Sequence, residues 1–136
     1  IRPSLTGASE PKDDGNRITD KDLIAVDGSW GTATTFKAQC VLNAPYCDGI
    51  ISHQAISNKK YLSGCTSGWE FESGYAKGSQ TIALLQNKWG CANDGVMGKN
   101  TVKAMQSYYG TYVDGCLDNP SPAIKAFQQY LNYGNI

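Results

Sequence analysis

The chain contains an internal repeat, and this feature limits its possible folds more than any other. Residues 27–39, DGSWGTATTFKAQ, align with residues 94–106, DGVMGKNTVKAMQ, at an offset of 67. A second pair of segments, 48–52 and 114–118, begins with Asp-Gly in both copies and lies at an offset of 66. Several matched elements at one offset are the signature of a duplicated unit. The sequence therefore predicts a tandem duplication, with unit one at about 18–68 and unit two at about 79–136.

Turn and helix patterns predict that both units are helical. In each Asp-Gly-x-x-Gly segment, the Asp accepts hydrogen bonds within a tight turn and the glycines supply positive φ. Apolar residues at helical spacing follow both turns, and two further stretches begin behind the caps Ser79 and Ser121. The four apolar stripes are Ala33-Phe36-Cys40, Ile82-Leu85-Trp89, Val102-Met105-Tyr109 and Ile124-Phe127-Leu131. A weaker helix is predicted at 54–62, and the predicted fold class is mainly α, with turn-rich loops and only short turns or hairpins of β-structure.

Residues 1–17 differ from the rest of the chain in composition. They include two Pro and two Gly among charged and polar residues, without apolar periodicity. Such composition is typical of a linker. We therefore expect a linker at 1–17 that joins another domain to one duplicated domain at 18–136, the whole being monomeric.

The charge balance limits the classes of partner. The chain has 12 Lys and Arg against 12 Asp and Glu, so its formal net charge is zero. Phosphate backbones and anionic lipids are bound by polycationic surfaces, so neither nucleic acid nor membrane is the expected partner. No apolar run is long enough to span a bilayer. We also expect neither a metal nor a cofactor.

The cysteine count predicts disulfides and an oxidising compartment. There are five cysteines, no Cys-x-x-Cys pair, and only one histidine, His53. This set argues against zinc and favours a secreted, extracellular protein. An odd count allows at most two internal bridges, and fifteen pairing patterns remain open; the one local pairing expected is Cys40 with Cys47. A catalytic thiol at the leftover cysteine is the less favoured alternative.

Four glutamines occupy equivalent positions on the predicted helices. They are Gln39, Gln86, Gln106 and Gln128. Since buried backbone groups need partners, we expect their amides to bond back to the turns. Binding of a glycan is the alternative.

The repeated pattern resembles the peptidoglycan-binding repeats of secreted bacterial cell-wall hydrolases. Those repeats have a helix ending in Leu-Gln, a short loop, Asp-Gly-x-aromatic-Gly-x-x-Thr, and a second helix with its own Gln. Here Leu85-Gln86, residues 94–101 and Gln106 match that pattern, and residues 27–34 with Gln39 match it in the other copy. The resemblance covers about 23–132, although the first copy lacks a leading Leu-Gln helix and the cysteines are extra. It implies a small helical fold that binds bacterial peptidoglycan beside a lytic domain.

A weaker resemblance is to small secreted fungal muramidases. It rests on general appearance alone, namely an extracellular, cysteine-containing, duplicated and linker-led chain, without a matched catalytic motif. It implies that the domain could itself be a lysozyme-type glycoside hydrolase with antibacterial action.

Glycoside hydrolysis needs a protonated carboxylic acid and usually a second carboxylate. Outside the linker, the only glutamates are Glu70 and Glu72, which lie between the repeats and are flanked by aromatic residues that could raise a carboxyl pKa. On an extended segment the two would project to one face, whereas on a helix they would diverge. If the chain is an enzyme, Glu70 is the expected general acid and Glu72 or Asp27 the second carboxylate. The alternative is that both glutamates are solvated loop charges.

Aromatic side chains are the candidates for ligand contact, because flat rings with a polar handle stack on sugars. Trp69 has no counterpart in the repeat and is the first candidate. Tyr108 and Tyr112 are surface candidates, and Trp30 is included although its repeat counterpart, Met97, favours packing.

Two hypotheses about function follow. The first is a peptidoglycan-binding module that concentrates a cell-wall hydrolase on its substrate. The second is a muramidase with Glu70 as general acid. A plain interaction domain without a glycan ligand is a third reading.

Overall fold

A computed structural model describes residues 23–136. Its first half contains α1 (Thr32–Leu42), β1 (Ile51–Ala55), a short 3-10 helix (Ile56–Tyr61) and β2 (Trp69–Glu72). Its second half contains three α-helices: α2 (Gln80–Trp89), α3 (Lys99–Tyr108) and α4 (Pro122–Asn132). The predicted linker at 1–17 lies outside the described residues. None of the helices within 23–136 is both long and apolar enough to cross a membrane.

The helices begin where local chemistry satisfies their first N–H groups. The hydroxyl of Ser79 accepts from the backbone N–H of Thr81 at the start of α2, and that of Ser121 accepts from Ile124 in α4. Pro122 takes the first position of α4, where no N–H is needed. Both predicted caps are confirmed.

The apolar stripes predicted the buried faces of three helices. In α2 and α4 all six stripe residues are buried, and in α3 Val102 and Met105 are buried while Tyr109 packs against the core. In α1 the buried face is shifted: Ala33 is exposed and Phe36 is half-buried. The buried residues of α1 are Thr34, Thr35, Lys37, Ala38 and Gln39.

The prediction of a mainly α fold made of two tandem units is wrong. The fold is mixed α/β, because β1 and β2 form a two-stranded parallel sheet in which Ile51 pairs with Trp69 and Ala55 with Glu72. Residues 54–62 are not one helix, since Gln54 and Ala55 belong to β1 and the 3-10 helix follows. In the second predicted unit, the segment that follows the turn at 114 contains α4 and no strand, so the sheet has no counterpart there. The buried apolar residues form one core cluster that draws on both predicted units.

Aromatic rings form the centre of that core. The indole of Trp30 lies edge to face with Trp69 at 5.1 Å and with Trp89 at 6.4 Å, and 4.7 Å from the Phe127 ring. The indole N–H groups of Trp30 and Trp69 both have acceptors. Trp30 Nε1 donates to Thr35 Oγ1, and Trp69 Nε1 donates to the carbonyl of Trp30. The turn before α1, together with β2, α2 and α4, therefore contributes to one aromatic cluster.

The expected disulfides are also not formed. The closest described pair, Cys40 and Cys47, has its sulfur atoms 3.9 Å apart, which is a thiol contact and not a bond. All five cysteines lie within residues 23–136, and none is bridged there. Burial raises the pKa of the Cys65 thiol, so this sulfur is held in its unreactive protonated form.

Candidate functional site

Each α-helix carries one glutamine whose side-chain amide holds an Asp-Gly turn from both ends. In the case of Gln86, Nε2 donates to Asp94 Oδ1 at 3.0 Å and to the Val96 carbonyl at 3.1 Å, while Oε1 accepts from Gly95 N–H at 2.8 Å. The four pairs are Gln39 with Asp48, Gln86 with Asp94, Gln106 with Asp114, and Gln128 with Asp27. The predicted bonding of the glutamines to the turns is confirmed. Because all four are buried, their amides serve the fold and not a glycan.

Asp27, expected as a possible second catalytic carboxylate, is part of this turn chemistry. Its Oδ1 accepts from Ser29 N–H at 3.0 Å and from Gln128 Nε2 at 3.1 Å. The hydrogen bond from the Ser29 backbone, with that from Gln128, lowers the pKa of Asp27. The carboxylate is therefore held ionised, with its oxygen occupied by the turn.

Glu70 and Glu72 both lie on β2, so the extended arrangement is the one that the chain adopts. Glu72 is paired with His53, whose Nδ1 lies 3.1 Å from Glu72 Oε1, and its other oxygen accepts from Lys77 N–H. The hydrogen bond from His53 lowers the pKa of Glu72, followed by that from Lys77. A general acid needs the opposite shift. Glu70 is exposed and lines none of the three clefts described below.

Two of the predicted ligand contacts lie inside the core. Trp30 is 0% exposed and Trp69 is 9% exposed. Because both indoles are buried, neither offers a free face on which a sugar could stack. Trp69 lacks a repeat counterpart because it belongs to the sheet, not because it contacts a ligand.

The other two predicted contacts, Tyr108 and Tyr112, are exposed. Tyr112 lines none of the three clefts. The ring of Tyr108 lies 5.0 Å from the ring of Tyr109, which in turn lies 5.4 Å from the ring of Tyr130. A continuous row of tyrosines therefore runs from the end of α3 to the end of α4.

That row borders a cleft of about 380 Å³, lined by Gln129, Tyr130, Tyr133 and Asn135, which we call the tyrosine cleft. Tyr109, whose ring packs against that of Tyr130, is held in turn by Trp89, whose Nε1 donates to the Tyr109 hydroxyl at 3.3 Å. None of its lining residues within 23–136 carries a charge. The side-chain amide of Gln129 has no hydrogen-bond partner within residues 23–136, so it can bond to a ligand.

Two further clefts lie at the equivalent turns of the two aligned segments. The serine cleft, about 210 Å³, is lined by the turn at 27–34 with Thr66 and Ser67. The lysine cleft, about 400 Å³, is lined by the turn at 94–101 with Asn58 and Tyr61. Position 32, a threonine, corresponds to position 99, a lysine. Hydroxyl groups therefore line the serine cleft, whereas an ammonium group and an aromatic ring line the lysine cleft.

Sequence reasoning missed Tyr130, Tyr133, Tyr61 and the lysines near it. Tyr130 and Tyr133 lie three residues apart, which is the spacing of neighbours on one helix face, and this signal was present in the sequence. Tyr61 and Lys99 are brought together only by the packing of the 3-10 helix against α3. No cluster of three His, Cys, Asp or Glu side chains suited to a metal occurs among residues 23–136.

Comparison with known proteins gave no match: no family model, no curated protein and no solved structure matches this chain. The resemblance to peptidoglycan-binding repeats therefore stays a prediction from the sequence.

Proposed function

We propose that this chain is a recognition module for bacterial cell-wall peptidoglycan within a secreted, cell-wall-lytic protein, and that the glycan strand binds at the tyrosine cleft. The sequence pattern described above supports the choice of peptidoglycan. The chemistry of the tyrosine cleft supports the glycan as the part that is bound.

The observation that carries the proposal is the set of half-exposed tyrosines around one cleft. Tyr108, Tyr130 and Tyr133 are 49%, 46% and 38% exposed. Each offers an apolar ring face and a hydroxyl, which suits the alternating C–H faces and hydroxyl groups of a sugar ring. A row of such rings can follow successive sugars of a strand.

The polar groups of the cleft suit a neutral polar ligand. Gln129 and Asn135 supply amide groups, which both donate and accept hydrogen bonds. The N-acetyl and hydroxyl groups of an amino-sugar strand present matching donors and acceptors. Since none of the described residues that line the cleft is charged, binding of the glycan strand should depend little on salt.

The test is sedimentation with purified, insoluble peptidoglycan. Tyr130→Leu combined with Tyr133→Leu removes both ring faces but keeps apolar bulk against Tyr109. We expect the apparent Kd to rise by about tenfold, which corresponds to about 1.4 kcal/mol. Tyr75→Leu is the matched control, because Tyr75 is 90% exposed and lines none of the three clefts.

Two results would contradict the proposal. One is wild-type protein that stays in the supernatant at every wall concentration. The other is a double variant that binds as tightly as the wild type. Thermal unfolding of each variant separates lost binding from lost folding, and Tyr130→Phe, which keeps the ring, should retain binding.

A further inference from the structure

We infer that the lysine cleft binds a carboxylate of the peptide arms of peptidoglycan, as a second site separate from the tyrosine cleft. This inference rests on the proposed function, because it assigns to the peptide part of the same polymer a site distinct from that of the glycan strand.

Two ammonium groups lie against the ring of Tyr61, and one of them, that of Lys99, lines this cleft. Lys60 Nζ lies 5.4 Å and Lys99 Nζ lies 5.9 Å from the centroid of Tyr61, which are cation–π distances. Lys60 and Lys99 come from different elements, the 3-10 helix and α3. The ring therefore stabilises both ammonium groups through cation–π contacts.

No carboxylate of the described chain forms an ion pair with Lys60 or Lys99. Within residues 23–136, neither Lys60 nor Lys99 has an acidic oxygen within 4.0 Å. Asp94 also lines the cleft, but its Oδ1 accepts from Gln86 and from Val96 N–H. The ammonium of Lys99, which lines the cleft without an ion-pair partner within residues 23–136, can therefore pair with an external anion, with Lys60 beside the same ring.

The position of Lys99 is set by packing. A Cβ added at Gly115 would lie 2.8 Å from Lys99 Cγ and 3.1 Å from its Cε, so the aliphatic part of Lys99 lies directly over this glycine. Gly115 has φ of +81°, which favours glycine there in any case. The ammonium is therefore directed toward Tyr61 before a ligand arrives, and less entropy is lost on binding.

The remaining lining suits a peptide. The amides of Asn58 and Asn100 can pair with peptide N–H and carbonyl groups. Asn58 lies close over Gly98, where an added Cβ would be 3.2 Å from its Nδ2. At the equivalent place in the serine cleft, Ser67 Oγ accepts from the Thr32 N–H. No described residue accepts from the N–H of Lys99, so this donor also remains for a carboxylate.

The test is titration calorimetry with three soluble probes: a disaccharide-peptide fragment of peptidoglycan, the same fragment with its carboxylates amidated, and a peptide-free glycan strand. Lys60→Gln combined with Lys99→Gln removes the charge and keeps much of the length. We expect this variant to bind the free carboxylate form about tenfold more weakly, with a smaller salt dependence, and the peptide-free strand as the wild type does. Lys125→Gln, an exposed lysine of α4 outside the three clefts, is the control.

Equal binding of the free and amidated fragments by the wild type would overturn the inference, as would unchanged binding by the double variant. Failure here is distinguishable from failure of the proposed function, because the peptide-free strand reports on the tyrosine cleft alone.

Discussion

The side-chain amide of Gln128 donates to the carboxylate of Asp27, 101 residues earlier in the chain, across 3.1 Å. The same glutamine donates to the Ser29 carbonyl and to Thr34 Oγ1, and accepts from Gly28 N–H. The last helix therefore completes the first turn. This contact explains why the two predicted units are not independent folded bodies, because the turn of one is satisfied only by a helix of the other.

Removal of this contact should destabilise the whole fold. Gln128→Leu leaves the buried Gly28 N–H and Thr34 hydroxyl without their partner, and we expect a loss of about 3 kcal/mol in the free energy of unfolding. Urea unfolding followed by circular dichroism measures it. Gln129→Leu, at the exposed neighbouring position, should change stability by less than about 0.5 kcal/mol. Equal effects of the two substitutions would contradict the assignment.

Stability should depend on pH through Asp114. Its hydrogen bond from Gln106, with that from the Cys116 N–H, lowers the pKa of this carboxyl in the folded state. A lowered folded pKa gives a contribution that is complete above the unfolded pKa of about 3.9 and is lost as the pH falls through the folded value. Asp114→Asn should therefore flatten the fall of the urea midpoint below about pH 4. Asp118→Asn, at an exposed residue without a side-chain hydrogen bond in the described chain, should leave the fall unchanged.

His53 should control the ionisation of Glu72. Its ring accounts for the largest part of the lowered Glu72 pKa. His53 also has φ of +57°, so Asn, which tolerates that conformation, is the suitable replacement. Carbon-13 NMR titration of the Glu72 carboxyl should show a higher pKa in His53→Asn than in the wild type. An unchanged titration would show that the pair is not formed in solution.

The muramidase hypothesis predicts that the chain releases new reducing ends from soluble peptidoglycan and that Glu70→Gln abolishes the release. We expect no release by either protein, because Glu70 lies outside the described clefts and its strand neighbour Glu72 is held ionised. A known muramidase, run on the same peptidoglycan as a positive control, should release reducing ends and so verify the assay. Release by the wild type that disappears in Glu70→Gln would establish the enzyme in place of the recognition module.

The two surface tyrosines named from the sequence should differ in effect. Tyr108 continues the row beside the tyrosine cleft, whereas Tyr112, 81% exposed, lies outside the three clefts. We expect Tyr108→Leu to weaken sedimentation with peptidoglycan by a few-fold, and Tyr112→Leu to leave it unchanged. A larger loss of binding in Tyr112→Leu than in Tyr108→Leu would show that the glycan does not bind at the tyrosine cleft.

Local patterns predicted the local structure well. The Ser79 and Ser121 caps, the apolar faces of α2 and α4, and the bonding of the glutamines to the turns follow from residues close in sequence or from a repeated spacing. The caps are confirmed because a hydroxyl and an N–H two or three residues away meet whatever the rest of the chain does. The shifted face of α1 was missed because its apolar residues are few and polar residues fill its buried side.

By itself, the sequence determined the turns, the helix starts and the identity of the glutamines that hold them, since these depend on short-range hydrogen bonds and recurrent spacing. The tertiary structure decided the rest. The parallel pairing of Ile51 with Trp69 buries an indole that the sequence presented as a ligand contact. The tyrosine row and the approach of Lys99 to Tyr61 depend on elements that come together only when the single core forms, and no local spacing encodes such contacts.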